Sequence, residues 1–525
     1  MNKQLTSAPS KTEAGILDTV FSSDARCRIE SEAVLPDYKP DINRILSVEA
    51  RPRISHKGAY EKSGIVNAEI DGVCVFNVIY STEKEDGYYS FTFFKDFRQD
   101  FKSTLSDVNS HDFETISLVA EALPSETGGR LLGPRKIVLK TECIVSVSLK
   151  ANKRIEYYSS VSLPEAETIS KKASMTALEY SSEYESSITE TLNLPAEYLQ
   201  IRDILDCDAI VYPKEIKASD GKISVIACAD IYVMYSPDSS EDKKPISFVQ
   251  PIEFSFTRDI LECTADDSVI VPMMCTYVKY TAEADNYGDT KVIKLEIGYK
   301  ADTSIMRSMM LECVSDMYYP GKSCDTKAGH ILGEKIIGSF IENAQTTIDI
   351  SAPEGTTSAD AVRARCVYKE STTENGKISV NAKLYTKLLV SGDNGQMSPV
   401  ESEQDIKFFI GEEPKTDKTN GAMRIELIGG VTSSDCTLVS GTVKVRCDIS
   451  TLAIVYEQVD EEIIDNVSSI QENAHQPEKN EMVFCYPERG ETLWDIAKKY
   501  SVSQAVITEM NHFDAKLLPQ VIRIN

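Results

Sequence analysis

The stretch Lys136-Ile-Val-Leu-Lys-Thr-Glu-Cys-Ile-Val-Ser-Val-Ser-Leu149 decides how most of this 525-residue chain is read. It is rich in β-branched residues, it alternates in part between apolar and polar, and Gly, Pro, Asp and Asn turns bound such segments along the chain. That pattern predicts a strand with one face in a core. Asp220-Gly221 and Asn375-Gly376 are hairpin-type turn dipeptides. Helix is scarce; Asp41 to Leu46, after Pro40, is expected to form a turn or two. The fold class is therefore mainly β.

The strands recur as long repeats. Ser63-Gly-Ile-Val-Asn-Ala68 returns as Asp220-Gly-Lys-Ile-Ser-Val225 and again as Asn375-Gly-Lys-Ile-Ser-Val380, with the glycines 157 and 155 residues apart. Strand-like stretches follow each turn (Val73–Tyr80, Ile231–Tyr235, Leu384–Val390), and a closing stretch ends each repeat (Lys136–Leu149, Lys291–Tyr299, Thr442–Ile449). A period of this length means duplicated domains and not a solenoid. Each unit is expected to be a sandwich or barrel-like body, over 1–170, 171–330 and 331–456. From Glu457 to Lys479 seven acidic residues face one basic residue, so 457–480 is expected to be an extended acidic linker.

The last segment, 481–525, changes period. Arg489-Gly-Glu-Thr-Leu-Trp-Asp-Ile-Ala-Lys-Lys-Tyr500 follows a strand (Met482–Tyr486) and a Gly-containing turn. Thr492 stands at an N-cap with Asp495 three residues on, as in a capping box. Leu493, Ile496, Ala497 and Tyr500 then share one helical face. Ser503 can cap a second helix bearing Val506, Ile507 and Met510, and Val521–Ile524 alternates like a closing strand. This strand-helix-helix-strand segment resembles the LysM domain on Gly490, Thr492, Leu493, Trp494, Ile496, Ala497, Tyr500, Val502, Asn511, Leu518, Pro519, Gln520, Ile522 and Ile524. LysM domains typically bind N-acetylglucosamine polymers in a groove between the turn before the first helix and the loop after the second. The resemblance implies a groove of Gly490, Glu491, Thr492 and Leu493 on one wall and Asn511, His512 and Phe513 on the other. Trp494, Ile496, Ala497, Tyr500 and Ile522 are expected in the module's core. Glu491, His512 and the missing Gly between Pro519 and Gln520 depart from the usual pattern, which weakens the glycan reading more than the fold.

The string Leu35-Pro-Asp-Tyr-Lys-Pro-Asp-Ile-Asn-Arg-Ile-Leu-Ser-Val48 resembles the signature of an uncharacterised β-rich domain found in tandem in clostridial sporulation proteins, often ahead of a LysM domain. It returns in part at Leu194-Pro195 and Ile201–Leu205, and unit 3 carries Ser351-Ala-Pro-Glu354 instead. Read on its own residues it is first a folding element: Pro36 and Pro40 fix extended backbone, Asp41 can cap the turn, and Arg44 can bridge to a carboxylate. Three such units plus LysM resemble a family of spore-coat morphogenetic proteins of the mother-cell cytoplasm. That resemblance implies partners at the forespore surface: other coat proteins and a coat ATPase similar to stage IV sporulation protein A.

Composition sets the limits. Net charge is −26 with a pI near 4.8, and the last 45 residues carry six acidic and five basic residues, so the acidity lies upstream. Such a surface repels nucleic acid and anionic lipid. No apolar run approaches a membrane span, and the N-terminus lacks an export-type h-region. Thirteen cysteines without a Cys-x-x-Cys pair, several inside apolar strand patterns, lead us to expect free thiols in a reducing cytosol.

No catalytic constellation emerges. The five histidines (56, 111, 330, 475, 512) are scattered and are expected on surface loops. There is no phosphate loop and no Gly-x-Ser-x-Gly elbow, and Thr127-Gly-Gly-Arg130 reads as a flexible turn. No metal or cofactor is expected. Three functional classes follow: a non-enzymatic assembly adaptor, a peptidoglycan-binding wall or cortex protein, or a hydrolase built on a β-unit. Three related copies without a distinctive His, Cys or carboxylate set disfavour the last.

Overall fold

The computed structural model describes residues 10–83, 87–104, 110–239, 244–393, 396–415, 422–472, 482–513 and 518–524. Among them the chain is mainly β, with two short α-helices, both near its C-terminal end, and one 3-10 turn at Ser160–Ser162. In the Lys136–Leu149 stretch, Ile137, Leu139, Thr141, Cys143, Val145, Val147 and Leu149 all point inward and are at most 2% exposed. The period-2 pattern of the sequence is thus the burial pattern of the strand.

Unit 1 comprises β1 (Thr12–Val34), β2 (Arg44–Lys62), β3 (Ile65–Ser81), β4 (Tyr88–Thr104), β5 (His111–Gly133) and β6 (Lys136–Tyr157). They form two antiparallel sheets, ordered β1-β6-β5 and β2-β3-β4, which enclose one apolar core holding Ile70, Cys74, Phe76, Leu139, Cys143 and Val145. Unit 2 repeats the plan with β7 (Glu167–Asn193), β8 (Ile201–Ser219), β9 (Lys222–Pro237), β10 (Ile246–Asp259), β11 (Ser268–Ile270), β12 (Met273–Ala284) and β13 (Thr290–Tyr318). Here β13 pairs β7 on one side and β11 and β12 on the other, while β8, β9 and β10 form the second sheet. Unit 3 has β14 (Lys322–Ser351), β15 (Thr356–Glu374), β16 (Lys377–Gly392), β17 (Met397–Glu412), β18 (Met423–Val439) and β19 (Thr442–Glu472), in sheets β14-β19-β18 and β15-β16-β17.

The three repeated glycines close the same hairpin in each unit, β2–β3, β8–β9 and β15–β16. Ser63 and Gly64 have φ 55° and 83°, and Asn375 and Gly376 have 53° and 74°. Both central residues of a two-residue I′ turn need this left-handed backbone, which Asn and Gly adopt at least cost.

The boundaries read from the sequence all fall inside strands: 171 in β7, 331 in β14, and 457 in β19. The first and last strands of each unit are longer than their most regular stretches, and β14 and β19 run 30 and 31 residues. The acidic segment from Glu457 is accordingly corrected from linker to strand as far as Glu472. Val459, Ile463, Ile464 and Val467 are buried between its acidic residues, and 473–480 lie outside the described residues. Three further expectations change. Asp41 caps no helix, since β2 begins at Arg44; instead Arg135 ties the Leu35–Val48 string by donating to Asp41 (2.6 Å) and to the Pro36 carbonyl (2.8 Å). Thr127–Arg130 lies within β5 and is no turn. His111 and His330 sit in strands, each 2.7 Å from a carboxylate, Asp18 and Asp460.

Equivalent strands of the three units meet. Leu46 and Ile79, Leu205, Tyr232 and Met234, and Ala361 and Leu389 form one apolar cluster. Leu17, Leu178, Met306, Leu452 and Ile454 form another from the opposite sheets. Beside the first, Arg51 of β2 reaches Asp206 (2.6 Å) and Asp208 (2.9 Å) of β8, Arg53 pairs with Asp208, and Arg363 of β15 reaches Asp206 at 3.1 Å. Burial works against the Asp208 charge, but Arg51, Arg53 and Arg363 outweigh it and hold its carboxyl at about 2. Lys150 of β6 is likewise buried, 2.5 Å from Glu426 of β18 and 2.8 Å from the Tyr456 hydroxyl of β19. Among the described residues no helix is long and apolar enough to cross a membrane.

Candidate functional site

The C-terminal module is built from β20 (Phe484–Cys485), α1 (Leu493–Tyr500), α2 (Gln504–Asn511) and β21 (Ile522–Arg523), with β20 antiparallel to β21. Thr492 caps α1 as its sequence implies. Its hydroxyl accepts from the Asp495 amide (3.2 Å), and the Asp495 carboxylate accepts from the Thr492 amide (2.8 Å). Ser501, in the left-handed region at φ 53°, ends the helix. Cys485, Leu493, Ile496, Ala497, Ile507, Ile522 and Ile524 form the core, and Tyr318 of β13 belongs to the same cluster.

The expected groove residues divide by what their side chains do. Gly490 (φ 94°) is exposed, with open space where a Cβ would stand. Glu491 turns back on its own loop, accepting from the Glu488 amide at 2.9 Å, and Thr492 is engaged in the cap. Leu493 is buried in the core and lines no groove wall; as the first residue of α1 it faces inward with Ile496 and Ala497. Asn511 is a clamp: its amide donates to the Ile507 (2.8 Å) and Arg523 (2.6 Å) carbonyls, and its Oδ1 accepts from the Arg523 amide (2.7 Å). His512 is exposed at φ 50°, and Phe513 packs half-buried against the core. Gly490 and His512 are thus the exposed members of the expected groove whose side-chain positions carry no hydrogen bond among the described residues.

Of the expected core residues, Ile496, Ala497 and Ile522 are fully buried and Tyr500 is half-buried against them. Trp494 is likewise half-buried against the same cluster. Its ring also packs edge-on against Tyr318, centroids 5.0 Å apart, while its indole N–H donates to Asp316 of β13 at 2.8 Å. Lys498, one turn on, reaches the other Asp316 oxygen at 2.5 Å.

The second helix is held the same way. Ser503 stands at its N-cap position without the side-chain capping bond expected of it. Glu167, the first residue of β7, accepts the Gln504 amide (3.0 Å) and the Gln504 side chain (2.9 Å) instead. A carboxylate there satisfies an orphan amide and meets the positive end of the helix. The Tyr318 hydroxyl lies 2.6 Å from Glu167 and 3.1 Å from the Val502 carbonyl, and the Gly321 amide donates to the Ser501 carbonyl at 2.6 Å. Burial raises the Glu167 pKa, but hydrogen bonds from Ser503, Tyr318 and Gln504 outweigh it and hold the carboxyl below its usual range. The module is therefore seated on the β-body, with both helices against the ends of β7 and β13. Asp316, Tyr318 and Glu167 escape sequence reasoning because their partners lie more than 150 residues away in the chain.

The β20 side of the module carries exposed apolar residues. Met482, Phe484 and Tyr486 alternate to one face at 66%, 51% and 72% exposure, with Val521 at 43% across the ladder. A side-by-side run of large apolar residues on so small a module is the mark of a contact surface. Among the described residues no group of three or more His, Cys, Asp or Glu side chains is placed to hold a metal ion.

No curated protein and no solved structure matches the chain. Residues 488–521, spanning the turn, both helices and the chain up to the closing strand, match the LysM domain family, so the chain carries a LysM domain at its C-terminal end.

Proposed function

We propose that the chain is a non-enzymatic assembly adaptor in spore-coat morphogenesis, acting in the mother-cell cytoplasm at the forespore surface. In this reading the LysM domain grips a coat ATPase similar to stage IV sporulation protein A, and the β-body is the scaffold that presents it. One observation carries the proposal: the helices of the LysM domain are seated on the scaffold through Asp316 and Glu167, so the domain is held with one chosen side outward. The exposed residues of the domain include Gly490, His512, Met482, Phe484 and Tyr486. Aromatic and apolar groups on a rigid support suit a protein surface, where such residues anchor binding. The engagement of Glu491, Thr492 and Asn511 in internal hydrogen bonds leaves fewer polar groups for sugar hydroxyls.

The match of residues 488–521 to LysM favours a second reading, binding of peptidoglycan or another N-acetylglucosamine polymer. The two separate cleanly with the full chain. The adaptor reading expects capture of the coat ATPase, lost on replacing Phe484 and Tyr486 with serine, and no sedimentation with peptidoglycan. Saturable sedimentation competed by chitin oligomers, with no capture of the ATPase, overturns it in favour of the glycan.

A further inference from the structure

A cavity of about 830 Å³ lies where β2, β5 and β6 of unit 1 face β15, β16 and β17 of unit 3. Arg365 of β15 lines it and is half-buried. Its Nη2 donates to the Ser125 carbonyl of β5 at 3.1 Å, and its guanidinium stands 5.5 Å from the centre of the Tyr385 ring. Among the described residues its Nε is enclosed without a partner, while Nη1, also without one, is not enclosed. Arg365 forms no ion pair with any described residue.

The repeat shows what is missing. Arg365 and Arg53 each lie eleven residues before the hairpin glycine of their unit, Gly376 and Gly64. They hold the same ladder position, opposite Tyr385 and Val73. Each donates to a carbonyl at a β-bulge of a neighbouring unit, Arg53 to Cys275 of β12 (2.8 Å) and Arg365 to Ser125 of β5. Arg53 also has the Asp208 carboxylate of unit 2. Asp208 lies thirteen residues before Gly221, and the residue thirteen before Gly64 in unit 1 is Arg51. The contact of unit 3 with unit 1 therefore repeats that of unit 1 with unit 2, with a cation where the carboxylate stood. Burial lowers the pKa of both guanidiniums; Cys275 and Asp208 outweigh it for Arg53, whereas Glu49 does not for Arg365.

The carboxylates around the cavity are committed or offset. Lys387 holds Glu49 and Glu401 at 3.4 and 3.2 Å, and Glu142 and Glu403 pair with Arg26 and Lys383. Glu126 and Lys140, diagonal neighbours on β5 and β6, are exposed and unpaired among the described residues, and their charges cancel. A guanidinium enclosed without a counter-charge is costly.

We propose that this cavity binds a small oxyanion, its carboxylate or phosphate oxygens on the Arg365 guanidinium in the place that Asp208 takes beside Arg53. The planar fork of an arginine suits either group. The site lies in the β-body and is independent of the LysM reading. A chain of net charge −26 offers no long-range attraction to an anion. The ligand is therefore held by direct donors and is small enough to enter the cavity.

The test titrates the full chain with inorganic phosphate and with acetate in a calorimeter, at an ionic strength kept constant with chloride. Saturable binding of one anion per chain is expected. Tighter binding of phosphate assigns a phosphorylated ligand, and tighter binding of acetate a carboxylate. Arg365→Gln removes no ion pair, so it should fold normally, and it should weaken binding roughly tenfold or more. Arg365→Lys keeps the charge without the fork and should weaken binding less. Circular dichroism and the melting temperature check that both variants are folded. Absence of saturable binding of both anions overturns the proposal, as does unchanged affinity in folded Arg365→Gln or, where that variant does not fold, in Arg365→Lys.

Discussion

The β-units and the LysM domain are held by different kinds of contact. Unit meets unit through buried apolar clusters and buried charges, with Arg51, Arg53, Asp206, Asp208 and Arg363 enclosed at one junction and Lys150 with Glu426 at another. The LysM domain meets the β-body through a half-buried rim, where one tryptophan, one tyrosine and a few charge-assisted hydrogen bonds carry the contact. Buried charges that lose a partner are strongly destabilising, whereas exposed ones are worth little. The three units should therefore unfold as one body, and the LysM domain should be able to loosen alone.

The largest effect is expected at the unit junctions. Asp208→Ala leaves Arg53 and part of Arg51 without a counter-charge and should destabilise the β-body by about 3–5 kcal/mol. Lys150→Ala leaves Glu426 with Arg424 at 3.5 Å and the Tyr456 hydroxyl at 3.2 Å, so it should cost less, about 1–3 kcal/mol. Urea unfolding followed by circular dichroism measures both; losses below 1 kcal/mol would break the contrast with the LysM contact. Acid should act through the same group. The folded Asp208 carboxyl lies at about 2, below its ordinary 3.8. Its stabilisation is thus fully present above about pH 4, is lost as pH falls through about 2, and amounts to about 2 kcal/mol. Asp208→Asn should flatten that part of the pH–stability profile.

A smaller, local effect is expected at the rim. Asp316→Ala removes the acceptor for both Trp494 and Lys498 and should weaken seating of the LysM domain by about 2 kcal/mol. The midpoint of β-body unfolding should not move. Smallest of all, Phe484→Ser with Tyr486→Ser should leave stability within about 0.5 kcal/mol, because both side chains are already in water. A change of several kcal/mol there would mean that this face is covered in the free protein.

How much of this was legible can be judged residue by residue. Alternation in Lys136–Leu149 identified the inward face, and the Ser63-Gly64, Asp220-Gly221 and Asn375-Gly376 turns identified the shared hairpin, because strand period and left-handed turns are local properties. The Thr492–Asp495 cap was legible for the same reason. The extent of β19 was not, since acidic residues on its outer face resemble a linker until their buried neighbours are placed. Nor was the seating of Trp494, whose indole pairs with a residue on a distant strand. One signal was overlooked. Arg51 lies 157 residues from Asp208, and Arg363 lies 155 residues beyond Asp208, and both pair with it. Those separations equal the repeat period, so equivalent positions of successive units carry opposite charges, as partners at a shared junction should.

Trp494 is the sole tryptophan of the chain, so its fluorescence reports seating of the LysM domain on the β-body without a label. In the intact protein we expect blue-shifted emission, poorly quenched by acrylamide. Asp316→Ala combined with Glu167→Gln should shift the emission to the red and increase quenching while far-UV circular dichroism stays unchanged. Emission and quenching identical in the two proteins would contradict the seated domain.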